Sequence, residues 1–199
     1  TGMHDRLQQL SPFEVDRDSL IQIHSERHID YIREASALAS STGCDRKTEL
    51  SPDTAISPAT FAAATLASGG ALAAVDAVVS GAVDNAFCAH RPPGHHAERD
   101  QAMGFCYFNH VAIAARYLQR RHRIQRIAII DWDVHHGNGT QNAFEADGDV
   151  FFFSIHQYPH YPGTGSGDEI GIGDGTVTTL NAPVSAGTGD ADYRQIFAE

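Results

Sequence analysis

Residues 128–141 read AIIDWDVHHGNGTQ, an apolar run that ends in two aspartates and two histidines and passes straight into Gly-Asn-Gly. Side chains alternate along extended backbone, so this spacing predicts Asp131, Asp133 and His135 on one face and Trp132 and Val134 on the other. In an open α/β sheet, ligands bind at the carboxyl ends of strands. Asp and His together make an oxygen and nitrogen donor set suited to Zn²⁺ or Fe²⁺. Gly137 and Gly139 let the following backbone turn and approach closely. In the competing reading the two aspartates merely cap the next helix. That leaves four polar, ionisable groups at the end of a buried strand without partners, which is costly. His136 points the other way and is assigned a structural role.

The segments on either side set the fold class. Ile29, Ile32 and Ala35 have helical spacing, and 44–58 is turn-rich and reads as a loop. The run 57–81 predicts a helix with Ser57 as N-cap, Pro58 in the first turn and Gly81 at its end. Its Gly69-Gly70 pair suggests close packing at some cost in helix propensity. Asn85–His90 reads as a short buried strand, residues 108–122 as an amphipathic helix and RIAIID (126–131) as a second buried strand. A short helix (139–147), a strand (149–156), a Gly-rich loop (162–175), a fourth strand (176–184) and a final helix from Asp190 complete the pattern. Strands alternating with helices predict an α/β fold with a mostly parallel sheet, in one domain over 1–199.

Composition narrows the function. The 199 residues are 42% hydrophobic and 20% charged, with a net charge of −11. No basic stripe exists to replace counterions, which argues against direct binding of nucleic acid. The longest apolar stretch is broken by Gly, Ser and Asp, so no membrane span is expected. Cys44, Cys88 and Cys106 form no CxxC pair, and two sit in apolar runs; buried free thiols in a reducing, cytoplasmic compartment are expected.

Two further stretches carry chemistry. HRPPGHHAE (90–98) sets His95 and His96 on a rigid loop after a strand, and a neutral imidazole is the expected general base at neutral pH. GFCYFNH (104–110) places Gly104 and Phe105 just before a helix, as a narrow apolar slot would need.

Taken together, RPPGHHA, GFCYFN, DWDVHHGNGTQ, SIHQYPHYPGTG and NAPVSAGTGDADY resemble the histone deacetylase and acetylpolyamine amidohydrolase superfamily, class II-like, over about Asp5 to Phe197. The resemblance implies a three-layer arginase-like α/β fold with helices on both faces of the sheet. It also implies a zinc-dependent amidohydrolase that removes acetyl groups from acetyl-lysine or acetylated polyamines. Asp133 and His135 match two zinc ligands, and His95 and His96 match the histidine dyad, with His96 as general base and His95 its electrostatic partner. Asp131 matches the carboxylate that orients His95. Asn138 matches the partner of His96 and, lacking charge, should leave it less basic than a carboxylate would. Gly104, Phe105 and Tyr161 match the walls of the acyl-lysine tunnel, and Asp53 the rim aspartate. Two structural K⁺ or Na⁺ sites are implied. Asp131, Asp133, His135 and Ser154 would form one, and backbone oxygens of Phe144, Asp147, Val150 and Tyr193 the other.

The family's third zinc-ligating aspartate and its oxyanion tyrosine have no counterpart up to Glu199. The match is therefore to an internal portion of the family's catalytic domain, an incomplete version of its fold. Asp168, Asp174, Asp190 and Asp192 are the candidate replacements, and an exposed sheet edge would favour homo-oligomers. Two rival readings follow: a non-enzymatic or catalytically incomplete relative, and an arginase-like ureohydrolase. Against the latter, the chain reads Asp-x-Asp-x-His and carries a histidine dyad.

Overall fold

The structure, a computed structural model, describes residues 2, 6–42, 46–48 and 51–198. Among these residues six α-helices are defined: α1 (Arg17–Leu20), α2 (Glu26–Thr42), α3 (Thr60–Val79), α4 (His110–Arg121), α5 (Asn138–Phe144) and α6 (Asp190–Ile196). The strands are β1 (Arg46–Thr48), β2 (Ser51–Ile56), β3 (Ile127–Asp131), β4 (Val150–Gln157) and β5 (Thr179–Val184).

β3, β4 and β5 form a parallel sheet in that order, with α5 in the connection between the first two. The register aligns Asp131 with Ser154 and Ser154 with Asn181. Three polar residues thus form one row across the sheet, with Asp131 at the carboxyl end of its strand. Phe152 and Ile155 on β4 are buried, as expected of a central strand packed on both faces.

The helical layer is built on α3 and α4. By length and composition α3 could cross a membrane, but Ala64, Ser68 and Leu72 are buried and it packs on α2 and α4, the position of a core helix. Backbone atoms of Phe13 approach Gly69 too closely to admit a Cβ, which accounts for glycine inside a helix. A buried hydrogen bond joins Ser68 Oγ on α3 to His110 Nδ1 on α4 at 2.7 Å. Asn109 caps α4 by accepting the Ala112 N–H at 3.1 Å. Phe108 is fully buried against His24, His28 on α2 and Phe61 on α3, and removing such a ring typically costs about 3–5 kcal/mol.

Five expectations need correction. Asn85–His90 is not a strand: it has no ladder neighbour among the described residues, and Phe87 is 92% exposed. Cys88 is exposed as a result, whereas Cys106 is buried; Cys44 lies outside the described residues. β3 is a half-buried edge strand, with Ile130 51% exposed. The loop assigned to 44–58 contains the β1–β2 antiparallel hairpin. The helix after it begins at Thr60, because Ser57 and Pro58 form a turn in which Thr60 N–H donates to the Ser57 carbonyl.

Candidate active site

Backbone geometry after β3 builds the site. The strand ends at Asp131, earlier than strict alternation to His135 would require. Two tight turns follow: Asp131 Oδ1 accepts the Asp133 N–H at 3.1 Å, and Asp133 Oδ1 accepts the His135 N–H at 2.8 Å. Aspartate favours such turns because its short carboxylate reaches the N–H two residues on. His135 Nδ1 lies 3.2 Å from Asp133 Oδ1, while Trp132 and Val134 face solvent.

The His95–His96 loop reaches the same place without a strand to carry it. His95 Nδ1 donates to Asp131 Oδ2 at 2.9 Å. Burial alone would lower the His95 pKa, but the Asp131 hydrogen bond and the Asp131 and Asp133 charges outweigh it and raise it. His96 Nδ1 meets Asn138 Oδ1 at 2.8 Å. Burial, and then the charge of neighbouring His95, push the His96 pKa down to about 4. With ring centroids 4.0 Å apart and planes tilted by 41°, the two imidazoles differ in basicity because Asp131 outweighs burial at His95, whereas at His96 burial and the His95 charge outweigh the weaker support of the neutral Asn138 amide.

Close approach explains two glycines here. A Cβ on Gly137 would strike Asp131 Oδ2 and lie 3.3 Å from His95 Nδ1. At Gly104 a Cβ would run into the His96 ring, and φ is +56°. Phe105 follows at φ +66°, a strained conformation for an aromatic residue, and its ring stays exposed. The β2 strand holds it there: Thr54 Oγ1 accepts the Phe105 N–H at 3.1 Å.

Tyr161 closes the other side, edge-on to His96 at 5.1 Å and to His135 at 5.8 Å. Its hydroxyl pKa is raised to about 12 by burial, and further by the Asp53 carboxylate to which it hydrogen-bonds. Gly104 and Tyr161 therefore meet His96, Asp53 joins through Tyr161, and Phe105 adjoins Gly104 in the chain. Burial lifts the Cys106 thiol to about 12, away from the thiolate form that a nucleophile needs.

Asp133 and His135 suit a zinc ion in donor type and in their mutual position, but a catalytic zinc takes three protein ligands. Among the described residues, no third His, Cys, Asp or Glu joins them in a metal-holding group. Asp168, Asp174, Asp190 and Asp192 are exposed, and Asp192 is engaged in accepting the Gly189 N–H. Of the two monovalent-cation sets, Asp131 and Ser154 are aligned neighbours in the sheet, and Ser154 Oγ contacts His156 Nδ1 at 2.9 Å. In the second set, the Phe144 carbonyl accepts the Asp147 N–H and Val150 opens β4 close by, while Tyr193 lies on α6. A cavity of about 620 Å³ at that turn is lined by Arg116, Asp147, Asp149 and Asp174 and contains none of the histidines.

Sequence reasoning missed the supporting polar groups. Glu98 accepts from the side chains of Asn138 and Asn142, and Glu169 accepts from Gln141 and from two loop amides. The only available signal for Glu98 was its place two residues after His96, with Asn138 and Asn142 one helical turn apart. His136 is structural as expected: its Nε2 donates to Gln141 Oε1 at 2.9 Å and its Nδ1 accepts from Thr164 Oγ1 at 2.8 Å.

Comparison with known proteins agrees with this geometry. A "Probable deacetylase" of Archaeoglobus fulgidus is 40% identical over 195 residues, covering 98% of this chain and 52% of that protein. The human "Polyamine deacetylase HDAC10" is 40% identical over 205 residues, covering 98% of this chain and 30% of that protein. A "Histone deacetylase-like amidohydrolase" of Pseudomonas aeruginosa is 39% identical over 98% of this chain and 50% of its own. The chain thus spans about half the length of the archaeal and bacterial relatives, and less of the human one. Among solved structures, the HDA15 HD domain superposes with a TM-score of 0.90 at 36% identity, covering 97% of this chain and 55% of that one, so the mixed α/β architecture is that of the deacetylase fold. The Histone deacetylase domain family matches residues 1–199, and with the histidine pairs in place the chain belongs to that family.

Proposed function

We propose that this polypeptide contributes the histidine dyad and two zinc ligands of an amidohydrolase that removes acetyl groups from acetylated lysine or polyamine amines. The observation that carries the reading is the asymmetry of the dyad. His95 is backed by Asp131 and raised in pKa, whereas His96 is backed by neutral Asn138 and held neutral. Asp133 and His135 would hold the zinc ion together with a third donor from outside the described residues. An ion held there would supply Lewis acidity toward an amide carbonyl and a water molecule.

With its proton on Nδ1, His96 keeps the Nε2 lone pair to take a proton from an attacking water and to return it to the departing amine. His95, favoured as imidazolium by Asp131, supplies positive charge beside the developing oxyanion. Phe105 and Tyr161 flank a slot suited to the apolar stem of an acyl-lysine or acylpolyamine, with Asp53 at its rim to meet a polar or cationic part of the substrate. The donor count favours a second reading, a catalytically silent chain.

The test is zinc content after dialysis together with hydrolysis of an acetyl-lysine peptide and an acetylated polyamine, in wild type and His135→Ala. Near-stoichiometric zinc lost in the variant, with turnover in the wild type, is the expected result. Zinc retained without turnover of either substrate selects the silent reading. No retained zinc, and none gained when a chain supplying the third donor is tested beside it, overturns the assignment of Asp133 and His135.

A further inference from the structure

Asn138 sits between two groups of different chemistry. Its Oδ1 is 2.8 Å from His96 Nδ1, and its Nδ2 is 2.5 Å from Glu98 Oε1. An ionised carboxylate has no hydrogen to donate, so only the NH₂ side of the amide can face Glu98. The other neighbours of Nδ2 are also acceptors, the His96 carbonyl at 3.4 Å and Met103 Sδ at 3.5 Å. Reversing the amide would set oxygen against carboxylate, carbonyl and sulfur at once. Its orientation therefore follows from chemistry, and Oδ1 must face His96. An acceptor at Nδ1 requires the ring proton there, which leaves the lone pair on Nε2.

Glu98 is itself held. Asn142 Nδ2, one helical turn from Asn138 on α5, donates to both carboxylate oxygens at 2.9 Å. The Glu98 carbonyl accepts from His24 Nδ1 at 2.8 Å, which pins its backbone to the buried helical layer. Asn138 and the His96 ring are buried, so water cannot readily replace the missing partner.

We propose that Glu98 is a positioning residue that fixes the Asn138 amide and, through it, the tautomer of His96. It touches no substrate atom and acts only through Asn138. The inference rests on the reading of His96 as general base for its consequence in activity, but its structural content can be read without turnover.

The test is ¹⁵N NMR of the imidazole rings at neutral pH in the intact chain, with His96 assigned by comparison with His96→Gln. Wild type is expected to show a protonated Nδ1 and a bare Nε2. In Glu98→Ala the amide is free to reverse, and a substantial Nε2–H population appears. Glu98→Gln serves as the near-isosteric variant and is expected to give a smaller shift in the same direction. Adding Asn138→Asp to Glu98→Ala restores the Nδ1–H tautomer, because a carboxylate at that position can only accept. The corresponding kcat/KM falls about tenfold in Glu98→Ala and recovers in the double variant, a rescue that a purely structural role does not give. An Nε2–H tautomer in wild type, or an unchanged tautomer in both Glu98 variants, overturns the proposal. A shifted tautomer with unchanged turnover supports it and instead overturns the role of His96 as base.

Discussion

His24 Nε2 accepts the backbone N–H of Asn109 at 2.9 Å, while its Nδ1 donates to the Glu98 carbonyl. Both ring nitrogens are therefore committed in the neutral form, and a second proton on Nε2 would break the bond to the residue that caps α4. His110 is bound similarly, donating from Nε2 to the Pro92 carbonyl at 3.0 Å and accepting from Ser68 at Nδ1. Burial holds His24 down to about 3 and His110 to about 4.

Those two rings contribute to the acid sensitivity of the fold. Below the ordinary histidine pKa, near 6.5, the unfolded chain binds protons that the folded chain refuses, so stability is full above that pH and declines as pH falls towards 4. Each ring contributes a loss of about 2 kcal/mol at pH 5. Urea midpoints at pH 7 and pH 5 check this, with His24→Gln expected to flatten the difference while lowering the midpoint at pH 7. A midpoint independent of pH between 7 and 5 would refute it.

Gly137→Ala isolates close approach from backbone strain. Its φ is −79°, which alanine adopts freely, so the only new feature is a Cβ against Asp131 Oδ2. The variant is expected to lose about 1–3 kcal/mol of stability through the forced shift. It should also part His95 from Asp131, so that the His95 pKa falls below its wild-type value in an NMR titration and hydrolysis drops at least tenfold. Wild-type values for both would show that the site has more room than the contact implies.

The sequence made much of this site legible, and the parts it hid have physical causes. His95, His96, Asp131 and Asn138 were visible because a short motif fixes a short loop, and two hydrogen bonds join the two loops whatever lies between them. Asn85–His90 misled because an apolar run reports what could be buried, not whether a ladder neighbour exists. The β1–β2 hairpin was hidden by Pro52 and its polar neighbours, which suit a turn as well as an edge strand. Glu98 carried no pattern of its own, since its importance comes from Asn138 and Asn142 arriving from 40 and 44 residues away.

Glu169 repeats the logic of Glu98 on the far side of the dyad. It accepts from Gln141 Nε2 at 2.6 Å, which turns Gln141 Oε1 towards His136 Nε2 and Asn181 Nδ2. It also accepts the N–H groups of Gly165 and Ser166, four and five residues after Tyr161. Burial alone would raise its pKa, but these bonds outweigh burial and lower it. Glu169→Ala should destabilise the chain by about 2 kcal/mol and speed amide exchange at Gly165 and Ser166. Unchanged exchange at those two amides would mean that the Tyr161 loop is held by something else.

The free edge of β3 makes a prediction about association. Ile130 is 51% and Trp132 69% exposed, and beyond them the edge offers unpaired backbone groups with no ladder partner among the described residues. Exposed apolar side chains on an open strand edge template pairing with another chain, and a charge placed there blunts it. The 199-residue chain on its own should therefore self-associate in sedimentation velocity as concentration rises, despite its net charge of −11. Trp132→Lys should shift the chain towards monomer without altering its melting temperature by more than a few degrees, because the indole is largely in solvent. Equal association in wild type and variant would place the contact away from β3, and a strictly monomeric wild type would show that charge repulsion outweighs the exposed edge.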